Sequence, residues 1–464
     1  MREIKEHCGL FGVYNNEDAS FLTFLGLYSL QHRGEESCGI VTFDGSGFHH
    51  YRGMGLVGEV FTEDKVKELK GYQAIGHVRY STTGSTAVRN IQPLFANSYH
   101  LSLALAHNGN LINSLSLRKE LESKGSIFQS SSDSEIILHL IMRSKKVTMV
   151  EKIFDALEKI RGAYSVIMMD KNGIIGIRDP LGFRPLCIGR RGESFFISSE
   201  SCALDLVGAE FIKEVEPSEA VIIDKEGIHS YKMPKVSKKF AFCSFEHVYF
   251  SRPDSIIFGE TVHLVREKLG EKLAQEHPVE GDCIIGVPDS GTSAALGFSK
   301  ASGIPLEIGI IRNHYIGRTF IQPYQNKREL GVKVKFNLLR EIIKNKRIVI
   351  VDDSIVRGTT SKIRVKNFRN MGAKEVHLRI SCPPHRFGCV YGIDFPDAKK
   401  LIAHNMGIKE IEEFLEVDSL GYLSLEGMLS CFKHAKNYYC TACWSGKYPL
   451  KFHNVYKYSL EEEL

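Results

Sequence analysis

Apolar and polar positions follow one rule in the first half of this chain and another in the second. Early on, short apolar runs alternate with glycine-containing turns: Cys8–Tyr14, Ala74–Val78, Leu101–Ala106 and Ala163–Met169. Runs of that length bounded by turn formers predict strands. One helix is predicted from about Asp133 to Ser144, where Ser and Asp precede an apolar Ile-Ile-Leu run. Further on, strands and helices alternate: strand Cys283–Pro288, helix Thr292–Ser302, strand Leu306–Ile311, a strand at Arg347–Val351, a helix through Phe368, and strand Glu375–Ser381. That alternation predicts a parallel sheet. The polar stretch Tyr231–Lys239 is the natural boundary, dividing the chain into residues 8–238 and 239–464 behind a short leader of residues 1–7. No internal repeat or low-complexity segment interrupts the two halves.

The most informative segment is Arg347-Ile348-Val349-Ile350-Val351-Asp352-Asp353-Ser354-Ile355-Val356-Arg357-Gly358-Thr359-Thr360-Ser361. A β-branched apolar run ends in two carboxylates, followed by a hydroxyl- and glycine-containing turn and a helix start. Ligands of open α/β sheets bind just beyond the carboxyl ends of such strands. Ser354, Thr359, Thr360 and Ser361 offer hydroxyls and backbone N–H groups to a phosphate. Asp352 and Asp353 suit sugar hydroxyls and a hard divalent ion. Singly these residues are ordinary helix caps; together they describe a phosphorylated sugar. The lysine-bearing nucleotide loop G-x-x-x-x-G-K-[ST] is absent. The segment resembles the phosphoribosyl pyrophosphate loop of type I phosphoribosyltransferases.

Charge and composition narrow the setting. The 464 residues suffice for two cores, and a net charge of +5 from 60 basic and 55 acidic residues is too mild to predict a polyanion partner. No basic arm points to nucleic acid, and no apolar stretch or signal core points to a membrane. A cytoplasmic protein is expected, whose eleven cysteines serve as buried thiols, nucleophiles or metal ligands.

Cys8 stands at the head of the first strand. Were residues 1–7 removed, its own α-amine could act as base for its thiol. A lone cysteine is more often a buried small hydrophobe, but three companions change the picture. Arg79, expected in a turn just after a strand in Gly76-His77-Val78-Arg79-Tyr80-Ser81-Thr82-Thr83-Gly84, could fork onto a carboxylate. Asn108 and Gly109, in His107-Asn108-Gly109-Asn110, offer the amide and N–H of an oxyanion hole, or else a hairpin turn. Asp133, in Ser131-Ser132-Asp133-Ser134-Glu135, could hold an ammonium or cap a helix. Thiol, oxyanion hole, carboxylate binder and ammonium binder together describe glutamine.

These motifs, with Leu30-Gln31-His32-Arg33-Gly34 and Asp179-Pro180-Leu181-Gly182-Phe183-Arg184-Pro185-Leu186, resemble the N-terminal nucleophile glutaminase domain. From about Cys8 to about Pro449 the chain is similar to the amidophosphoribosyltransferase family, which joins that domain to a type I phosphoribosyltransferase. The resemblance implies a four-layer αββα glutaminase of class II over residues 8–238, followed by an open parallel sheet flanked by helices. It implies that residues 1–7 are a propeptide, that Cys8 attacks glutamine, that Asn108 and Gly109 hold the oxyanion, and that Arg79, Thr82 and Asp133 bind glutamine. Ammonia would then cross internally to displace pyrophosphate, giving 5-phosphoribosylamine for purine synthesis. Asp352, Asp353, Ser354, Arg357, Gly358, Thr359 and Thr360 would bind phosphoribosyl pyrophosphate. One magnesium per subunit would rest on Ser290, Asp352 and Asp353. Arg318 lies in a cation-rich segment from Arg312 to about Lys335 that resembles the family's lid; the family usually has Lys and Arg where Arg312 and His314 stand. Purine nucleotide inhibitors and a homotetramer are further family expectations.

Cys440-Thr441-Ala442-Cys443 is compatible with zinc, redox or iron–sulfur roles. With Cys243 and Cys389 it matches the positions that, in one branch of the family, hold one four-iron four-sulfur cluster per subunit. Four-cysteine zinc is the fallback, and Cys382 and Cys431 are packed thiols by default. Two other functions compete. A different class II glutamine amidotransferase would lack the Asp352-Asp353 loop, and a non-catalytic phosphoribosyl pyrophosphate-sensing regulator would lack the Cys8 constellation.

Overall fold

The computed structural model describes residues 8–80, 87–233, 239–312, 336–393, 398–452 and 460. The leader of residues 1–7, Thr82, and the lid positions His314 and Arg318 lie outside them. Strand Gly9–Tyr14 shows how the first half is built. Leu10 and Tyr14 face one core while Phe11 and Val13 face another, so period-two alternation reads in sequence as continuous apolarity. The strand sits inside a seven-stranded antiparallel sheet ordered Glu210–Glu214, Cys187–Arg191, Ser194–Ser198, Gly9–Tyr14, Gln73–Arg79, Ser37–Phe43, Phe48–Met54. A six-stranded antiparallel sheet, ordered Gly227–Lys232, Glu219–Asp224, Gly173–Arg178, Gly162–Met169, Ser102–Leu111, Leu94–Asn97, packs on it. Leu10, Val41 and Ile75 meet Ala104, Ile167 and Val221 between the sheets. Helix Ala19–Ser29 covers the outer face of the first sheet, and helices Ser114–Ser123, Ser134–Arg143 and Met149–Leu157 cover that of the second. The result is the αββα layering.

The second half centres on a parallel sheet ordered Cys283–Gly286, Arg347–Asp352, Glu375–Ile380, Ser419–Tyr422. Among its helices are Val262–Glu276, Thr292–Ser302 and Thr359–Asn370. The strand expected at Leu306–Ile311 does not form as one element. Leu306 makes only an isolated parallel bridge to Ile284, and Ile310–Arg312 pairs antiparallel with Phe336–Leu338. Between them Ile308 is exposed, and Gly309 passes so close to Ile285 that a Cβ would overlap it. The apolar run therefore leaves the sheet instead of extending it.

The halves are packed together. Ile112, Ala163 and Phe183 share a cluster with Ala241 and Tyr391, and the Phe183 and Tyr391 rings stack at 4.4 Å. Gly392, at φ +101°, approaches Gly109 so closely that a Cβ would lie 2.8 Å from the Gly109 carbonyl carbon. Short parallel pairing of Phe242–Cys243 with Tyr439–Cys440 sets Cys243 beside Cys440. Among the described residues no helix is long and apolar enough to cross a membrane.

Helices Val262–Glu276 and Thr292–Ser302 touch backbone to backbone. A Cβ on Gly270 would overlap the carbonyl of Ala294, and one on Gly297 that of Glu267. Gly297→Ala should therefore destabilise the protein by about 1–3 kcal/mol through overpacking, read as a lower midpoint in chemical denaturation. An unchanged midpoint would contradict the contact.

Candidate active site

Asp352 ends its strand and Asp353 follows it, which places both carboxylates at the carboxyl edge of the parallel sheet. Gly358, at φ +75°, turns the chain into helix Thr359–Asn370 in a conformation that favours glycine. Asp353 accepts hydrogen bonds from Ser290 Oγ at 2.5 Å and from Ser354 Oγ. Asp352 accepts from the Asp353 N–H at 3.0 Å and pairs with Arg364 on the helix. Burial, and then the charge of Asp352, push the Asp353 carboxyl up. These groups open on a cavity of about 480 Å³, lined also by Arg357, Thr359 and Thr360. Arg357 Nε is buried with no hydrogen-bond partner among the described residues, a donor left for an anion. Arg312 also lines the cavity and pairs with Asp289. Part of the wall comes from the other half of the chain, as His32 and Glu35.

The second centre lies in the antiparallel layers. Pairing of Gly9 with Val78 brings Cys8 alongside the end of strand Gln73–Arg79. Arg79 is that strand's last residue, not a turn residue as expected. Cys8 is buried, and its thiol donates to the Tyr80 carbonyl at 3.6 Å. Burial pushes the thiol up to about 11; the Tyr80 bond and the charge of Arg79 oppose this, and Asp133 adds to it. Cys8, Arg79 and Asp133 therefore share one neighbourhood. Asp133 Oδ2 accepts the Leu111 N–H at 2.8 Å and so does not act as a simple helix cap. Asn108 and Gly109 form no hairpin turn but lie within strand Ser102–Leu111. Neither polar side-chain atom of Asn108 has a hydrogen-bond partner among the described residues, although the residue is fully buried. Gly109, at φ +152°, admits no side chain, since a Cβ would overlap the Ala163 carbonyl.

Arg33 joins the two centres. Its Nε donates to the Cys8 carbonyl at 3.1 Å, and its two terminal nitrogens fork onto Glu246 at 2.8 and 3.0 Å. It also pairs with Glu200, which accepts from His32 at 2.9 Å, the Arg252 N–H at 2.9 Å and Ser255 Oγ at 2.6 Å. Burial works against the Arg33 charge, but Glu246 and Glu200 outweigh it and hold it up. Glu246 opens the π-helical turn Glu246–Phe250, which leads into the cavity-lining residues 249–253. Arg33 belongs to the Leu30–Gly34 motif, to which the sequence assigned no role. Glu200 and Arg364 carried no local signal.

Cys243, Cys389, Cys440 and Cys443 gather in one buried region. Burial first, then the other three thiols of the group and Cys382, push the Cys443 thiol well up. The Tyr391 N–H donates to Cys389 Sγ at 3.3 Å. Cys431 stands apart, donating to backbone carbonyls of Lys268 and Gly427. All eleven cysteines are free thiols. Among the described residues, no three His, Cys, Asp or Glu side chains are placed to hold one metal ion.

Comparison with known proteins bears on both halves. Residues 77–206 match a glutamine amidotransferase domain model. Amidophosphoribosyltransferase of Bacillus subtilis is 46% identical over 458 residues, covering 98% of this chain and 96% of that protein. Its counterpart in Methanocaldococcus jannaschii is 48% identical over 460 residues, covering 95% and 97%. A solved structure of glutamine phosphoribosylpyrophosphate amidotransferase from B. subtilis, complexed with ADP and GMP, aligns with a TM-score of 0.91 at 46% identity, over 96% of this chain and 98% of that one.

An Asp353 carboxyl pushed upward must lose its proton before it can hold a cation, so cation affinity should rise with pH. Magnesium titrated calorimetrically should bind more tightly at about pH 8 than at about pH 6. Equal affinity at both would show that Asp353 is already ionised at the lower pH.

Proposed function

Because the chain belongs to the amidophosphoribosyltransferase family, we propose that its two buried centres divide one reaction between them. The overall reaction moves the amide nitrogen of glutamine onto phosphoribosyl pyrophosphate with loss of pyrophosphate, in purine biosynthesis. At the first centre, Cys8 Sγ attacks the side-chain amide carbon, and the amide oxygen takes the electron pair. Asn108 Nδ2 and the Gly109 N–H stabilise that oxyanion; the Asn108 amide, without a partner among the described residues, supports this role. Arg79, with Thr82, holds the α-carboxylate of glutamine and Asp133 its α-ammonium. Ammonia leaves, and water hydrolyses the thioester to glutamate. A thiol held at about 11 needs a base in contact with it, and an α-amine freed by removal of residues 1–7 is that base.

At the second centre, Ser354, Arg357, Gly358, Thr359 and Thr360 hold the 5-phosphate while Asp352 and Asp353 hold the ribose hydroxyls. Ammonia attacks C1 as the bond to pyrophosphate breaks, and Arg318 helps to cover the substrate. Ser290, Asp352 and Asp353 would hold one magnesium per subunit, which would supply positive charge against the departing pyrophosphate. The buried carboxylate pair, with an adjacent hydroxyl, fits such an ion.

Cys243, Cys389, Cys440 and Cys443 would hold one four-iron four-sulfur cluster per subunit, fastening the C-terminal segments together. Their convergence supports this reading. Location in the cytoplasm fits eleven unbridged thiols. Assembly as a homotetramer and inhibition by purine nucleotides complete the proposal; the ADP and GMP in the B. subtilis structure support the latter.

One observation carries the two-centre reading. His32 lines the Asp352–Asp353 cavity while the next residue, Arg33, holds the Cys8 carbonyl. The deciding assay is pyrophosphate release that requires both glutamine and phosphoribosyl pyrophosphate. Cys8→Ala should abolish the glutamine-dependent rate and leave the ammonia-dependent one. Asp352→Ala or Asp353→Ala should impair transfer at least about a hundredfold while sparing basal glutaminase; equal loss of both activities would refute the division. Iodoacetamide should label Cys8 at neutral pH in chains that begin at Cys8. In chains that retain residues 1–7, labelling should climb only toward about pH 11. Intact Met1 in fully active protein, read by mass spectrometry, would overturn the α-amine as base.

A further inference from the structure

The motif Asp179–Leu186 contains a buried cation that neither centre uses. Asp179 accepts backbone N–H groups of Leu181, Gly182 and Phe183 and so shapes the turn. Arg184, only 1% exposed, points the other way, toward the second half. One terminal nitrogen donates to the Tyr391 carbonyl at 2.7 Å, and the other reaches Glu246 only loosely, at 3.4 Å. Arg184 Nε has no hydrogen-bond partner among the described residues. The Cys243 N–H donates to the carbonyl of Phe183, the residue before Arg184, at 3.1 Å, and the Tyr391 N–H donates to Cys389 Sγ at 3.3 Å, so the residue that receives this guanidinium also binds the cysteine group. Burial opposes its charge; Cys243, then Glu246, then Cys389 offset that cost. Glu246 is already forked by Arg33.

We propose that Arg184 is a positioning residue for the cysteine-held cluster, its Nε–H donating to a sulfur and its charge offsetting the thiolates. The inference rests on the cluster reading above. A buried guanidinium with an orphan donor is a poor element of an empty core, whereas beside four thiolates both its charge and its donor are satisfied. Hydrogen bonds to sulfur and nearby positive charge raise a cluster's reduction potential, and partners of the ligands slow loss of the metal.

The test uses the full-length protein purified without oxygen. Wild type should carry iron, sulfide and a brown absorbance. Arg184→Gln should lower the reduction potential in a potentiometric titration and shorten the lifetime of the chromophore in air about 10- to 100-fold. Arg184→Lys keeps the charge but loses the Nε–H, so its potential should fall less than that of Arg184→Gln while it still bleaches faster than wild type. Brown wild type with unshifted variants overturns the role of Arg184 alone, and equal shifts in both variants overturn its charge role. Colourless, iron-free wild type overturns the cluster reading and this inference together. If Arg184→Gln does not fold, as read by circular dichroism, the lysine variant decides, and a wild-type chromophore lifetime in it overturns the donor role.

Discussion

Everything in this molecule turns on a buried arginine held between two glutamates. Arg33 sits between layers that also meet through apolar contact, backbone bonds and the polar contacts of Arg184 and Glu200. Its guanidinium touches the Cys8 carbonyl on one side and Glu246 on the other, with Glu200 completing the charge balance. Such an arrangement is no cheap source of stability, because removing charge from water costs several kcal/mol per ion. It specifies geometry instead. Losing either partner strands a charge in the interior at about 3–5 kcal/mol, so the halves are held in one relative placement. The turn Glu246–Phe250 and the cavity wall behind it inherit that placement.

The carboxylate pair illustrates a complementary constraint. A strand buried on both faces delivers its last residues to the sheet edge without freedom to wander. Asp352 is anchored by Arg364 and Asp353 by two serine hydroxyls, so neither carboxylate depends on a ligand to find its position. The cost is proximity of like charges in a dry site, which raises Asp353. A cation answers that repulsion better than a proton does, because it can satisfy both carboxylates at once.

What could be read directly from the sequence was chemistry that needs contiguous residues. The Asp352–Thr360 turn and the Cys-x-x-Cys segment each announce a local geometry, whereas the αββα layers were legible only through the family resemblance. The linking side chains were unreadable for an equally physical reason. Arg33 meets Glu200 and Glu246 across 167 and 213 residues, and burial of a charge has no sequence signature apart from its partner. Leu306–Ile311 misled because apolarity alone does not distinguish a sheet strand from a segment leaving the sheet; Ile308 is exposed. Asn108 and Gly109 resembled a turn because the same dipeptide favours one, yet flanking strand pairing with Tyr164 and Ser165 won.

The approach of Gly392 to Gly109 carries a consequence for inheritance. The gap between the two backbones leaves no room for a methyl group on Gly392. The halves are therefore not interchangeable modules, even though each has its own core. A glutaminase grafted from a distant relative would have to bring its matching strap from the other half, or meet it with a collision. A side chain at position 392 can be accommodated only if the Gly109 backbone first moves away.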